Sequence, residues 1–221
     1  MSLQDRLDAF KADFEGNKAP PEAVAIMHRA TAELAASGQA QRALKVGAML
    51  PAFTLSDSEG RTVSSAELLA QGPLVITFYR GVWCPYCNMD LQAIEEVASE
   101  IRGMGASLVA ISPQTPVNGA KSRTQNKLSF PILSDARGDV AAAFGLRFGL
   151  PDDLKGLYGK FGVDLATVNG DPSWTLPMPA RYVIGRDGVV AYAEVDPDYT
   201  QRPDPSELIP TLRRLRQAQA A

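Results

Sequence analysis

Cysteine and histidine are scarce in this chain of 221 residues: Cys84 and Cys87 are its two thiols, and His28 is its one imidazole. A secreted domain stapled by disulfides spreads its cysteines along the chain to close loops. Two cysteines three residues apart close almost nothing, so a bridge between them restricts the unfolded chain very little. A tetrahedral zinc site needs four ligands, and His28 lies far off in a helical stretch, so zinc would require two copies of the chain pooling their cysteines. Basic excess is also missing, with 22 Lys and Arg against 25 Asp and Glu for a net charge of -3. A nucleic-acid binder usually presents a basic face. The nearest candidate, Arg213, Arg214 and Arg216, reads as the polar face and last turn of a helix, where cations suit the dipole. Long apolar runs are absent too. Pro73 to Tyr79 is strand-sized, well short of the ~20 residues that cross a membrane as a helix. The opening Met-Ser-Leu-Gln-Asp-Arg-Leu-Asp carries charges where a signal peptide has an apolar run. These absences predict a cytoplasmic protein with no membrane or nucleic-acid partner and no metal or other cofactor.

What is present is enough for one sizeable core, at 45% hydrophobic and 21% charged residues. Leu3 to about Leu44 reads as helical, with Leu7, Phe10 and Phe14 on one stripe and Val24, Met27, Ala30 and Leu34 on another. Pro20-Pro21 breaks and restarts this run, since proline suits a first helical turn. The character changes at Val46-Gly47. Ala52–Leu55 and Arg61–Val63 read as a hairpin around Gly60. Ser64 or Ser65 then caps a short helix through Leu69. Leu74–Tyr79 is a near-continuous apolar run, the pattern of a central strand covered on both faces. A long helix follows, with Leu91, Ile94, Val97 and Ile101 on its apolar face, and then the buried strand Ser107–Ile111. Strand–helix–strand predicts parallel pairing with a right-handed crossover. Further on come a helix between Pro113 and Asn126, a strand Phe130–Leu133, helices at 140–144 and 152–161, strands at 181–184 and 189–194 around Gly185-Arg186-Asp187-Gly188, and a closing helix over 206–217. The expected fold class is α/β: a thioredoxin-like three-layer sandwich with a central mixed sheet, formed by residues 46–221 and preceded by a helical extension over 1–45.

The chemistry gathers at Cys84-Pro85-Tyr86-Cys87, between the apolar strand and the long helix. The active form of a thiol is the thiolate, and a helix N-terminus favours negative charge through its free amides and dipole. Cys84 stands there, so a lowered pKa is expected. Cys87 falls one turn later on the same face, with Cβ atoms ~5–6 Å apart, and such a pair can bridge with little backbone movement. Trp83 and Pro85 would shape access, and Pro85 in the first turn forfeits no helix hydrogen bond. A redox pair therefore competes with two other readings, zinc pooled across a dimer and two small buried hydrophobes. The last leaves the spacing and the intervening proline without a reason. Pro179, just before a predicted strand, reads on its own as a proline at a strand start.

From Val46 onward the sequence resembles the peroxiredoxin superfamily, in its alkyl hydroperoxide reductase/thiol-specific antioxidant branch. Gly47–Leu55 resembles the family's opening strand. Phe78-Tyr79-Arg80-Gly81-Val82-Trp83-Cys84-Pro85-Tyr86-Cys87 resembles a subgroup with a Cys-x-x-Cys centre. Ile111-Ser112-Pro113, Phe130–Asp135 and Tyr182–Gly188 match in order and spacing. The resemblance implies a peroxidatic Cys84 that becomes a sulfenic acid, a resolving Cys87, and recycling by thioredoxin, or by glutaredoxin or glutathione. The usual Pro-x-x-x-Thr/Ser-x-x-Cys is not kept, since Thr77 and Gly81 stand at its proline and hydroxyl positions. The family's later arginine falls on Pro179, which resembles instead the cis-proline of thioredoxins. Tyr79, Arg80 and Arg181 are then the candidate donors to peroxide. A protein disulfide oxidoreductase is the alternative enzyme, and a redox sensor the non-enzymatic one. The apolar stripes of the first helices are predicted to be covered by their own domain or by a homodimer.

Overall fold

The computed structural model describes residues 1–220. Ser2 caps α1 (Leu3–Asp13) with a reciprocal box: its hydroxyl accepts from the Asp5 amide, and the Asp5 carboxylate accepts from the Ser2 amide. A π-helical turn, Phe14–Lys18, ends at the proline pair, and α2 (Pro21–Ala36) and α3 (Gln39–Arg42) follow. Then come β1 (Thr54–Asp57), β2 (Thr62–Ser64), α4 (Ser65–Gln71), β3 (Leu74–Phe78), α5 (Pro85–Gly103), β4 (Ser107–Ser112), α6 (Pro116–Gln125) and β5 (Ile132–Ser134). The chain continues through α7 (Asp139–Ala143), β6 (Arg147–Gly149), α8 (Asp152–Lys160), α9 (Leu165–Asn169) and β7 (Thr175–Pro177). It closes with β8 (Ala180–Ile184), β9 (Val190–Val195) and α10 (Leu208–Ala220).

Seven strands form one mixed sheet in the order β2-β1-β5-β4-β3-β8-β9. The expected parallel crossover is there, β3 pairing β4 from Leu74↔Ser107 to Phe78↔Ile111, with α5 as the connection. On the other side β8 runs antiparallel to β3. Successive side chains of β3 go to opposite faces. Val75 joins a core with Leu91, Ile94, Ala98 and Ile101 of α5 and Leu208 and Leu212 of α10. Leu74, Ile76 and Phe78 join another with Phe144 and Tyr182, against which Leu68 and Leu69 of α4 pack. Both faces are covered, which is why β3 is apolar throughout.

The first two helices lie on the rest of the chain. Leu3 and Leu7 of α1 are buried in the α5 core, while Ala23 and Met27 of α2 pack with Leu150, Leu154 and Leu157 around α8. The short pair β6–β7, antiparallel from Arg147↔Pro177 to Gly149↔Thr175, and the helix α9 have no counterpart in the sequence-based expectation. Runs of three to five residues carry no readable period.

Candidate active site

The site is assembled where β3 hands over to α5. Beyond Phe78 the Tyr79 amide still donates to the Ile111 carbonyl, at 3.1 Å, so Arg80 leaves the sheet from a fixed point. Gly81 has φ +147°, and a Cβ there would meet Trp83 Nε1 at 2.6 Å, so only glycine fits. Gln114, after β4, ties the crossing together: its Nε2 donates to the Tyr79 hydroxyl at 2.6 Å and its Oε1 accepts from the Val82 amide at 2.9 Å. Asn88 Nδ2 reaches back to the Val82 carbonyl at 2.8 Å. Cys84 is the N-cap of α5 with extended backbone, and Pro85 takes the first helical position.

Both sulfurs are reduced and buried, Cys84 at 2% and Cys87 at 0% exposure. Burial alone would push the Cys84 thiol up. The Cys87 thiol facing it, the Arg80 cation, the Cys87 amide and the Arg202 cation outweigh burial and hold it down at about 6. The sulfur forms no full capping hydrogen bond, so that amide acts as a dipole rather than as a cap. Cys87 goes the other way, pushed up by its own burial and by its partner's negative charge. The pair thus carries one thiolate and one thiol at neutral pH, with the negative charge on the residue nearer the helix start.

The other side chains anticipated from sequence fall into place unevenly. Arg80 is 3% exposed and held in an aromatic cage, its guanidinium 4.1 Å from the Tyr199 ring centre, 5.0 Å from Trp83 and 5.7 Å from Tyr158. It also donates to the Tyr158 hydroxyl. Trp83 thereby sits against Arg80, and its ring meets Tyr158 edge-on at 5.3 Å. The Tyr79 hydroxyl is taken by Gln114, and burial raises its pKa. Arg181 is committed elsewhere, 2.5 Å from Asp90 Oδ1 and 3.2 Å from the Pro203 carbonyl. Pro179 corrects the thioredoxin analogy: among the described residues no peptide bond is cis. Met178 and Pro179 link β7 to β8 without a turn, so nothing there favours the costlier isomer.

Four residues at the site carried no signal in the sequence. Arg202 places Nη2 3.9 Å from the Cys87 sulfur and Nε 3.4 Å from Asp90 Oδ2. Asp90, one turn beyond Cys87 on α5, therefore holds two buried arginines at once. Tyr158 and Tyr199 complete the cage around Arg80.

Residues 46–193 match the AhpC/TSA family. The chain belongs to that family. A putative peroxiredoxin of Mycobacterium tuberculosis is 30% identical over 151 residues, covering 68% of this chain and 85% of its own. The chloroplastic peroxiredoxin Q of Triticum aestivum is 28% identical over 181 residues, covering 82% of this chain and 73% of its own. Among solved structures, peroxidoxin BcpB of M. tuberculosis superposes with a TM-score of 0.61 at 26% identity, covering 79% of this chain and 97% of its own. As an AhpC/TSA protein with two adjacent thiols, the chain is a peroxidase-type oxidoreductase. Among the described residues no helix is long and apolar enough to cross a membrane.

Proposed function

We propose that Cys84 is the peroxidatic residue and Cys87 the resolving one. The Cys84 thiolate attacks one oxygen of a hydroperoxide; the O–O bond breaks, the other oxygen leaves as an alcohol or water after taking a proton, and Cys84 is left as a sulfenic acid. The Cys87 thiol then displaces that hydroxyl as water, forming the disulfide. An external dithiol, or two monothiols, returns both sulfurs to thiols and is itself oxidised. Arg80 stabilises the attacking thiolate and stands where the peroxide oxygens would lie, with Trp83 and Pro179 shaping the approach. Tyr79 and Arg181 act at one remove, through Gln114 and Asp90. The observation that carries this reading is the thiolate held beside Arg80 with a thiol one turn away. Burial of both sulfurs favours a peroxide over a protein disulfide as the oxidant.

One equivalent of hydrogen peroxide or cumene hydroperoxide should consume both thiols of the reduced protein. Cys84→Ser should abolish the reaction, and Cys87→Ser should stop it at a sulfenic acid that dimedone traps. Insulin reduction without thiol loss to peroxide would establish the disulfide oxidoreductase instead, and oxidation without turnover would establish the sensor. Thioredoxin, glutaredoxin and glutathione are the donors to compare, in a cytoplasmic setting. Residues 46–221 form the redox domain in this proposal, with residues 1–45 as its helical extension.

A further inference from the structure

Arg202 lies beyond the region matched by the AhpC/TSA family, in the segment after β9, yet its side chain is buried at the thiols. Its guanidinium is fixed on every side. Nη1 donates to the Tyr199 and Gln201 carbonyls at 2.9 and 2.5 Å, Nε stands 3.4 Å from Asp90 Oδ2, and Nη2 lies 3.9 Å from the Cys87 sulfur. The backbone is pinned from the other end of the chain. Gln4 of α1 accepts from the Arg202 amide at 2.9 Å and donates to the Thr200 carbonyl at 3.3 Å. Peroxide reduction asks two opposite things of the sulfur that Arg202 faces. While Cys84 is a thiolate, Cys87 keeps its proton and donates it in a hydrogen bond to that thiolate. Once Cys84 is a sulfenic acid, Cys87 must lose the proton, because the thiolate is the nucleophile. Burial, that hydrogen bond and the Cys84 charge push the Cys87 thiol up, while Arg202, and less strongly Arg80, pull it down. Tyr79 and Tyr158 also face Cys87, and burial raises the pKa of both, so they are uncharged at neutral pH. Oxidation of Cys84 removes its charge and leaves both cations in place.

We propose that Arg202 is the catalytic residue of the resolving step, its guanidinium holding the Cys87 thiolate that forms after Cys84 has been oxidised. The inference rests on the peroxidase reading. The Cys87 sulfur attacks the Cys84 sulfur, the S–S bond forms and the S–O bond breaks. The hydroxide leaves as water with the proton that Cys87 gave up, so Cys84 is reduced as Cys87 is oxidised. An opposite charge this close lowers a pKa by about one to three units. Intrinsic nucleophilicity falls with pKa along a Brønsted slope of about 0.5, so the net gain in rate at neutral pH is about 3- to 30-fold.

The test is rapid-quench oxidation of the reduced full chain by hydrogen peroxide, with sulfenic acid and disulfide told apart by intact mass. In Arg202→Met, disulfide formation at pH 7 should slow by about 3- to 30-fold, and the deficit should close as pH rises through the ionisation of Cys87. Sulfenic acid formation should slow less, since Arg202 contributes least to the Cys84 thiolate. Arg202→Lys keeps a cation and should recover much of the loss. Asp90, Glu194 and Asp196 face Arg202 as well; Glu194, pushed up to about 7, titrates below the range in which the deficit closes. In Cys84→Ser a neutral hydroxyl stands for the sulfenic acid and Arg202 is kept. Alkylation of its Cys87 by iodoacetamide should inflect below 9.0, the ordinary thiol value, despite burial. An inflection above 9.0 overturns the inference whether or not the Arg202 variants fold. Disulfide formation in Arg202→Met that is unslowed, or slowed equally at every pH, overturns it while the peroxidase reading stands. Failure of peroxide to oxidise Cys84 in the wild-type chain overturns the peroxidase reading itself.

Discussion

Arg80 serves the thiolate directly, because the guanidinium is buried and little water screens it. Arg80→Met keeps much of the side chain's volume and removes the charge. Alkylation of Cys84 by iodoacetamide should follow its thiolate, with an inflection near pH 6 in the wild-type protein. In Arg80→Met the inflection should rise by about one pH unit or more, so the rate at pH 7 falls. An unchanged profile would assign the activation to Cys87 and Arg202 alone. Asp90 shows why the second cation could not be read in advance. Aspartate on a helix and arginine in a loop are ordinary surface residues in a sequence, and charged groups are rarely buried unless paired. Only the fold brings Asp90, Arg181 and Arg202 together in the interior.

The elements that carry the site depend on a close approach of backbone outside it. Gly72 follows α4, and Gly105 follows α5, just before the parallel strands β3 and β4 begin. A Cβ on Gly72 would lie 2.0 Å from the Gly105 carbonyl oxygen, which is backbone and cannot swing aside. Gly72→Ala should therefore cost about 1–3 kcal/mol, measured by urea unfolding of the reduced protein, with the thiol pKa unmoved because the clash lies at the opposite ends of β3 and α5. A loss under a few tenths of a kcal/mol would mean the two loops part freely. The apolar run of β3, the stripe on α5 and the thiols at the helix start are legible in sequence because each rests on local periodicity or a local cap. The pair β6–β7 is not, since its pairing partners lie 26 to 30 residues apart and each strand is three residues long.

Across the whole molecule, pH acts on stability through Glu194 on the edge strand β9. It faces Arg181 across the β8–β9 ladder, but the Arg181 guanidinium is spent on Asp90. Burial pushes the Glu194 carboxyl up to about 7, against a partial pull from Arg181 and Arg202 and a push from Asp90 and Asp196. The folded chain thus keeps a proton that the unfolded chain loses above its ordinary value of 4.5. This group's contribution declines as pH rises from about 4.5 to 7 and is level beyond. Glu194→Gln should match the wild type at pH 4.5 and exceed it at pH 8 in urea unfolding. Equal stability at both pH values would show that the carboxylate finds enough compensation when ionised.

The sequence by itself determined the α/β class, the crossover around α5 and the placing of two thiols one turn apart at a helix start, because hydrophobic period, proline and helix caps act over a few residues. Its motifs also carried the family. Tertiary structure alone decided which cations surround the thiols, that Pro179 stays trans, and that Gln4 of α1 pins the Arg202 backbone. Those depend on residues from opposite ends of the chain meeting in an interior where charge is weakly screened, and no local pattern encodes that meeting.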